Sequence, residues 1–452
     1  MPRCRSALPC SPSSTYCACP GSRSQNRARA MLALIAVAFV VLLVVGVPIG
    51  LILISLSVIY VLLDPAIMDL AFAQRVIAGT QSFPLLAVPL FILTGELMNI
   101  SGITRRVMTF AALVTQRMSG GLAQTNILLS TLLAGMSGSA NGDAAMQAKI
   151  LVPEMSKRGY PLAYSTALTA TSALIAPMIP PGIGLILFGF VTDTSIGRLF
   201  AGAILPGLLL AAVLMIYTYF VTKKNRWDPP NHEPRETPLG KAFLGALPAI
   251  MLPILIIVGI RFGIFTPSEA AAVAVLYTGV FIAVYREASW KQIWTALRST
   301  VVTTAAILLV LAASAAFSWI LTFERVPQMV GGAMLASTEN PLLMLALVGA
   351  IIFIAGLFIE GTALILILGP MFLPVVTSLG IDPVHYGVVF VLMAHLGGIT
   401  PPVGTVMFTA CTITRVSIID FAKAVWPYII AYLVVAALLI MIPQISTFLA
   451  YL

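Results

Sequence analysis

The sequence predicts an all-α polytopic membrane protein made of two inverted repeats, each with a re-entrant helical hairpin and a broken helix. Three observations carry that expectation. First, 60% of the 452 residues are hydrophobic and only 9% are charged, against about 25% charged in ordinary soluble domains. A water-soluble fold of this length could not cover itself with so few charges, which excludes soluble enzymes. The net charge of +9 does not point to nucleic acid, because the basic residues are scattered and lack an aromatic-interleaved patch. Second, apolar runs near or above the roughly 18 residues that read as a membrane span recur from Met31 to the C-terminus. They do not alternate as the strands of a β-barrel do. Third, the chain repeats itself: Pro153 and Pro374, Gly159 and Gly380, and Pro180-Pro181 and Pro401-Pro402 fall at one constant offset.

The elements follow in order. Residues 1–30 hold Cys4, Cys10, Cys17 and Cys19, five arginines and no acid. They lack the apolar core of a signal peptide and the spacing of a zinc knuckle. They read as a disordered or mis-assigned extension, with Met31 the natural start. Cys411 stands alone, so no disulfide framework is expected. Residues 31–222 form the first repeat, with a hairpin over 122–155 and a broken helix over 161–191. The polar stretch 223–241 reads as a solvated linker. Residues 242–452 form the second repeat, with a hairpin over 341–378 and a broken helix over 383–413. Before each hairpin lies a short mixed helix, Ile103–Met118 and Glu324–Ser337. Ser289–Thr300 puts Trp290, Ile293, Trp294 and Leu297 on one face, as in a helix lying in the membrane interface. No phosphate loop or soluble ligand-binding domain is present.

Each repeat has two interruptions. About 15 apolar residues on either side of a hairpin tip are too few to cross a hydrocarbon core of about 30 Å. Each hairpin must therefore turn back inside protein, where irregular backbone can line a cavity. The first tip carries Ser137, Gly138, Ser139 and Asn141; the second carries Glu360, Gly361 and Thr362. The second interruption is a double proline. Pro180, Pro181 and Gly182 break one helix; Gly398, Thr400, Pro401, Pro402, Gly404 and Thr405 break the other. Two prolines remove two N–H donors and stop the helix. Freed carbonyls can then hold a dehydrated Na⁺, and half-helix N-termini can attract a carboxylate. Paired interruptions in two halves point to a transporter site.

Among intramembrane acids, Asp143 and Glu360 are balanced between capping a half-helix and contacting substrate or ion. Glu269 fits a capping box in Thr266-Pro267-Ser268-Glu269. Glu96 lies near a span end and reads as snorkelling. His385 and His395 have no Cys or acid at ligand spacing, so buried hydrogen bonding is expected rather than a metal. An intramembrane enzyme would need paired acids, a Ser–His arrangement or H-E-x-x-H in mid-span. None is present.

Six segments resemble the large membrane subunit of TRAP (tripartite ATP-independent periplasmic) transporters. They are GMSGSANGDAAMQAKILVPEMSKRGYP (135–161), IAPMIPPGIGLILFG (175–189), GIFTPSEAAAVAVLYT (263–278), GLFIEGTALILILGPMFLPV (356–375), GIDPVHYGVV (380–389) and GGITPPVGTVMFTA (397–410). The resemblance runs from about Met31 to the end. Gly182 stands where the family usually has Ser, and Glu360 where it usually has Asp. The resemblance implies an elevator-type protein of the ion-transporter superfamily in the bacterial inner membrane. It implies Na⁺ coupling rather than ATP, with no other cofactor. It implies three partners: a small four-helix membrane subunit, a periplasmic substrate-binding protein, and an organic acid anion such as a C4-dicarboxylate. Ser137, Gly138, Ser139, Pro180, Pro181, Gly361, Thr362, Thr400, Pro401, Pro402 and Gly404 are carried over from the family as the site for Na⁺ and carboxylate, without a ligand-by-ligand assignment; Asn141, Gly182, Glu360, Gly398 and Thr405 are candidates beside them. A stand-alone Na⁺/dicarboxylate symporter of the same superfamily is the alternative.

Overall fold

The computed structural model describes residues 31, 34–43, 45–63, 69–229 and 238–452. The N-terminal extension 1–30 and the middle of the polar linker lie outside the described residues. Among these residues there are helices and no strand, and seven helices are long and apolar enough to cross a membrane.

The first half opens with α1 (Leu34–Leu43), α2 (Ile49–Leu63), α3 (Asp69–Ala78), α4 (Ala87–Ile100) and α5 (Ile103–Thr115). The hairpin arms are α6 (Gly121–Ser137) and α7 (Ala140–Lys157). The broken helix is α8 (Leu162–Ala173) with α9 (Ile183–Val191), and α10 (Ile196–Asn225) closes the half. The second half runs through α11 (Leu239–Arg261), α12 (Pro267–Tyr285), α13 (Trp290–Phe323) and α14 (Val326–Ser337). Its hairpin is α15 (Pro341–Gly356) with α16 (Gly361–Ser378), and its broken helix is α17 (Pro383–Leu396) with α18 (Thr405–Thr414). Two further helices, α19 (Ile418–Met441) and α20 (Gln444–Tyr451), end the chain.

Local chemistry sets these boundaries. Thr266 and Glu269 form the expected capping box at the start of α12, with Pro267 at the first helical position. Ser289 and Gln292 form a second box at the start of α13. Residues 290–323 contain neither Gly nor Pro, so nothing breaks the helix after Thr300. The segment read as an interfacial helix and the span after it are one helix of 34 residues, about 50 Å long at 1.5 Å per residue. In the first half the equivalent stretch does break, at Phe83-Pro84, where a 3₁₀ turn separates α3 from α4.

On α12, Leu276, Val280 and Val284 are 70%, 58% and 64% exposed. They recur every four residues and form an apolar stripe of the kind that faces lipid or a neighbouring membrane helix. Inside, one large core joins the hairpins, the broken helices, α10 and α19. A smaller one joins α1 and α2 to α13, where the buried Tyr60 hydroxyl donates to the Glu324 carboxylate at the end of α13. The start of the polar linker is docked rather than solvated. The Trp227 ring centroid lies 4.9 Å from that of Tyr164, and Asp228 is only 9% exposed.

Candidate functional site: two hairpin tips and two helix breaks

The first tip turns because Gly138 adopts φ = +56°, a left-handed conformation that ends α6. Ser139 then caps α7, its Oγ accepting the Gly142 N–H at 3.3 Å. A β-carbon on Gly138 would lie 2.6 Å from the Pro181 carbonyl oxygen, so the tip sits directly on the first break. That break spans residues 174–182 and is wound in short turns: Leu174, Ile175 and Ala176 donate to the carbonyls three residues back. Pro177, Pro180 and Pro181 have no N–H to continue the helix, and the Pro180–Pro181 peptide is cis.

The second tip and break pair in the same way. Glu360 caps α16: its carboxylate accepts the N–H groups of Thr362 (3.0 Å) and Ala363 (3.3 Å) and the Thr362 hydroxyl (2.7 Å). Capping is therefore the observed state of Glu360. A short 3₁₀ turn, Gly397–Ile399, follows α17, and the Pro401–Pro402 peptide is cis. The Val403 N–H donates to the Leu357 carbonyl at 3.2 Å, tying break to tip. A β-carbon on Gly397 would lie 2.3 Å from the Gly356 carbonyl oxygen; only glycine permits that approach.

The two halves meet at His395. A β-carbon on Gly184, just past the first break, would be 3.0 Å from its Cε1, and one on Gly361 would be 3.4 Å from its Cδ2. The ring is fixed by Nδ1 against the Val391 carbonyl at 2.8 Å. His385 is likewise hydrogen-bonded, to Ser446 Oγ at 2.6 Å.

Around this junction lies a cavity of about 460 Å³. Both tips border it: Ser137, Gly138, Ser139 and Asn141 from the first, Glu360, Gly361 and Thr362 from the second. Gly398 and Thr405 border it from the second break. The remaining residues expected at the site, Pro180, Pro181, Gly182, Thr400, Pro401, Pro402 and Gly404, do not line it. They shape the breaks, and their neighbours Ile183, Gly184 and Val406 reach the cavity instead.

Several further residues line the cavity. Glu96 does not snorkel: it borders the cavity and accepts a hydrogen bond from Ser299 Oγ at 2.7 Å. Asn99, Thr303 and His395 border it too. Asp143 does not cap α7, since Ser139 does; it is 3% exposed and faces the cavity, with Oδ2 lacking a partner. The signal available in the sequence was the presence of ionisable side chains at membrane depth.

A buried polar seam joins the first hairpin to its broken helix. Ser130 and Gln147 pair across the hairpin arms at 2.9–3.1 Å. Asn126 donates to Thr169 Oγ1 and accepts from Ser172 Oγ, each at 2.7 Å. Such contacts register helices that the hydrophobic effect alone would let slide in lipid.

A polytopic helical bundle whose two hairpin tips and second helix break border one cavity is a secondary-transporter architecture. Comparison with known proteins specifies which. Residues 36–445 match the family described as tripartite ATP-independent periplasmic transporter, DctM component. The chain belongs to that family: it is a large permease component of a TRAP transporter, a multi-pass protein of the inner membrane. It is 37% identical to the sialic acid TRAP transporter large permease protein SiaM of Vibrio cholerae, over 89% of this chain and 94% of that one. It is 33% identical to the 2,3-diketo-L-gulonate TRAP transporter large permease protein YiaN of Escherichia coli, over 82% and 88%. It is also 33% identical to the C4-dicarboxylate TRAP transporter large permease protein DctM of Pseudomonas aeruginosa, over 83% and 88%. Among solved structures, the YdaH transporter of Alcanivorax borkumensis shares the fold. The TM-score is 0.62 at 16% identity, over 90% of this chain and 98% of that one.

Proposed function

We propose that the chain is the large transmembrane subunit of a Na⁺-coupled system that imports an organic acid. In this reading a periplasmic binding protein delivers the acid and a small four-helix membrane subunit completes the complex. The observation that carries the reading is that both hairpin tips and the second helix break border one 460 Å³ cavity, which Ile183 and Gly184 reach just past the first break. Relatives named for sialic acid, 2,3-diketo-L-gulonate and C4-dicarboxylate all handle carboxylic acids, and an acid of that range is the proposed cargo.

The charge of the cavity suggests an order of events. Glu96, Asp143 and Glu360 border it, and among the described lining residues none is Lys or Arg. Carboxylates at the cavity wall repel an incoming anion. Na⁺ binding first removes that obstacle, and the acid follows. Hydroxyls of Ser137, Ser139 and Thr362, the Asn141 side-chain oxygen and break carbonyls are hard oxygen donors suited to Na⁺. Main-chain N–H groups at the starts of α7, α9, α16 and α18 supply donors for a carboxylate. The polar seam of Asn126, Ser130, Gln147, Thr169 and Ser172 lets hairpin and broken helix move as one body, as an elevator motion requires.

The test is uptake by proteoliposomes holding this chain and its small subunit. Uptake should need an inward Na⁺ gradient and added binding protein. Uptake driven by ATP would reject the reading, and uptake with Na⁺ but no binding protein would favour a stand-alone symporter.

A further inference from the structure

On α13 the cavity is bordered by Thr303, Ala306, Ile307 and Val310. Steps of three and four residues keep these on one helix face. The next positions on that face are Ser314 and, at its edge, Ser318. Neither borders the cavity. Ser314 is 2% exposed, and both hydroxyl oxygens are buried with no partner among the described residues.

The helix does not force that condition. Thr300 and Thr322, on the same helix, donate to the carbonyls of Ala296 and Ser318 at 2.9 and 2.8 Å, a bond open to a helical serine as well. A buried hydroxyl without a partner is costly and uncommon. At this level α13 packs on α16, where Ile367 joins Phe317 and Ile320 in one apolar core.

Position supplies the explanation. Glu360, Gly361 and Thr362, at the start of α16, share the cavity with residues 303–310. Ile367, farther along α16, shares a core with Phe317 and Ile320. The two helices therefore run the same way. A slide of α16 along α13 by about one to two turns, roughly 6–12 Å, carries the second tip from Val310 to the level of Ser314 and Ser318. The two levels are also mirror positions on α13. Counted inward from the two ends of the stretch after Thr300, 303–310 and 314–321 hold the same places. A site that opens alternately to the two sides of a membrane needs a wall at each level.

We propose, on the basis of the transport reading above, that Ser314 and Ser318 are the second wall of the site. In the state open toward the end of α13 they line the cavity as Thr303 and Ile307 do here, and their hydroxyls donate to the oxygens of the second tip and its cargo.

The experiment uses proteoliposomes holding this chain and its small subunit, a small methanethiosulfonate reagent, and mass spectrometry to identify the residue modified. Thr303→Cys is the control and should react without uptake. Ser314→Cys and Ser318→Cys should be inert at rest and react during Na⁺-driven uptake. A second measurement separates a transport role from space filling. Ser314→Ala with Ser318→Ala removes two unfilled hydroxyls, so the unfolding temperature should hold or rise, while uptake falls about tenfold. Uptake by the two serine-to-cysteine variants without any gain in reactivity would overturn the proposal, as would wild-type uptake by the double alanine variant. Either result leaves the Na⁺-coupled transporter standing. No Na⁺-driven uptake by the unaltered chain would overturn that reading and this proposal with it.

Discussion

Gly138 and the Pro181 carbonyl are packed so closely that a single added carbon on the glycine would sit 2.6 Å from the oxygen. The contact joins the first hairpin tip to the first helix break, and it depends on two properties of one residue. The missing side chain allows the approach, and φ = +56° is a conformation that costs other residues about 1–2 kcal/mol. Gly138→Ala should therefore push tip and break apart and reduce uptake at least tenfold, with insertion retained. Gly332→Ala on α14 is the control: a β-carbon there meets nothing within 4 Å, and uptake should stay normal. Equal uptake by the two variants would show that the tip–break contact is not needed.

Asp228 pins the start of the inter-repeat linker to the base of the first hairpin. Its carboxylate accepts the Leu122 N–H at 2.8 Å, Tyr160 Oη at 3.2 Å and Arg158 Nη1 at 3.2 Å. Its carbonyl accepts the Gly120 N–H at 3.0 Å. Asp228→Ala strands a main-chain donor and a buried phenol, about 1–3 kcal/mol for each group left without a partner. Arg158→Ala removes only a half-exposed ion pair, worth about 0–1 kcal/mol. Thermal unfolding in detergent should fall clearly for the first variant and little for the second. The same modest shift for both would refute the pinning role.

The sequence makes the double prolines, the small-residue tips and the constant spacing between halves visible, because backbone chemistry is written locally. A proline lacks its N–H wherever it sits. That both tips and the second break border one cavity is a tertiary fact, and so is the company they keep there. Glu96 looks like a span-end acid until α4 packs against α13 and brings Ser299 to it. His395 looks like a lone core histidine until Gly184 and Gly361 close on it from opposite halves. Pro180 and Pro181 stand out in the sequence, yet they act behind the cavity wall. The continuity of α13 was legible in principle, since residues 290–323 hold no helix breaker.

Arg105 and Arg106 both reach Glu287, at 2.9 and 2.8 Å, yet they should not matter equally. Arg105 is 69% exposed at its side chain, where such pairs are worth about 0–1 kcal/mol. The Arg106 guanidinium also lies 3.7 Å from the Tyr285 ring centroid and donates to the Gly102 carbonyl at 3.0 Å. A partly buried cation–π contact adds about 0.5–2 kcal/mol. Arg106→Ala should lower the unfolding temperature more than Arg105→Ala, because it loosens the start of α5 from the end of α12. The reverse order would count against this account.

The second helix break separates structural need from transport need better than the first. Pro180 and Pro181 are buried, so removing them disturbs packing as well as backbone. Pro401 is half-buried and Pro402 exposed, so replacing both with Ala leaves no sizeable hole. What changes is the backbone. Alanine supplies the missing N–H groups and favours helix, by about 3 kcal/mol per residue relative to proline in a helix interior. The chain can then run on from α17 toward α18. That shift would move Gly398 and Thr405, which border the cavity, and would cut the Val403 link to Leu357. Pro401→Ala with Pro402→Ala should insert and unfold near the wild-type temperature while uptake falls more than tenfold. Normal uptake by a stable double variant would remove the second break from the site.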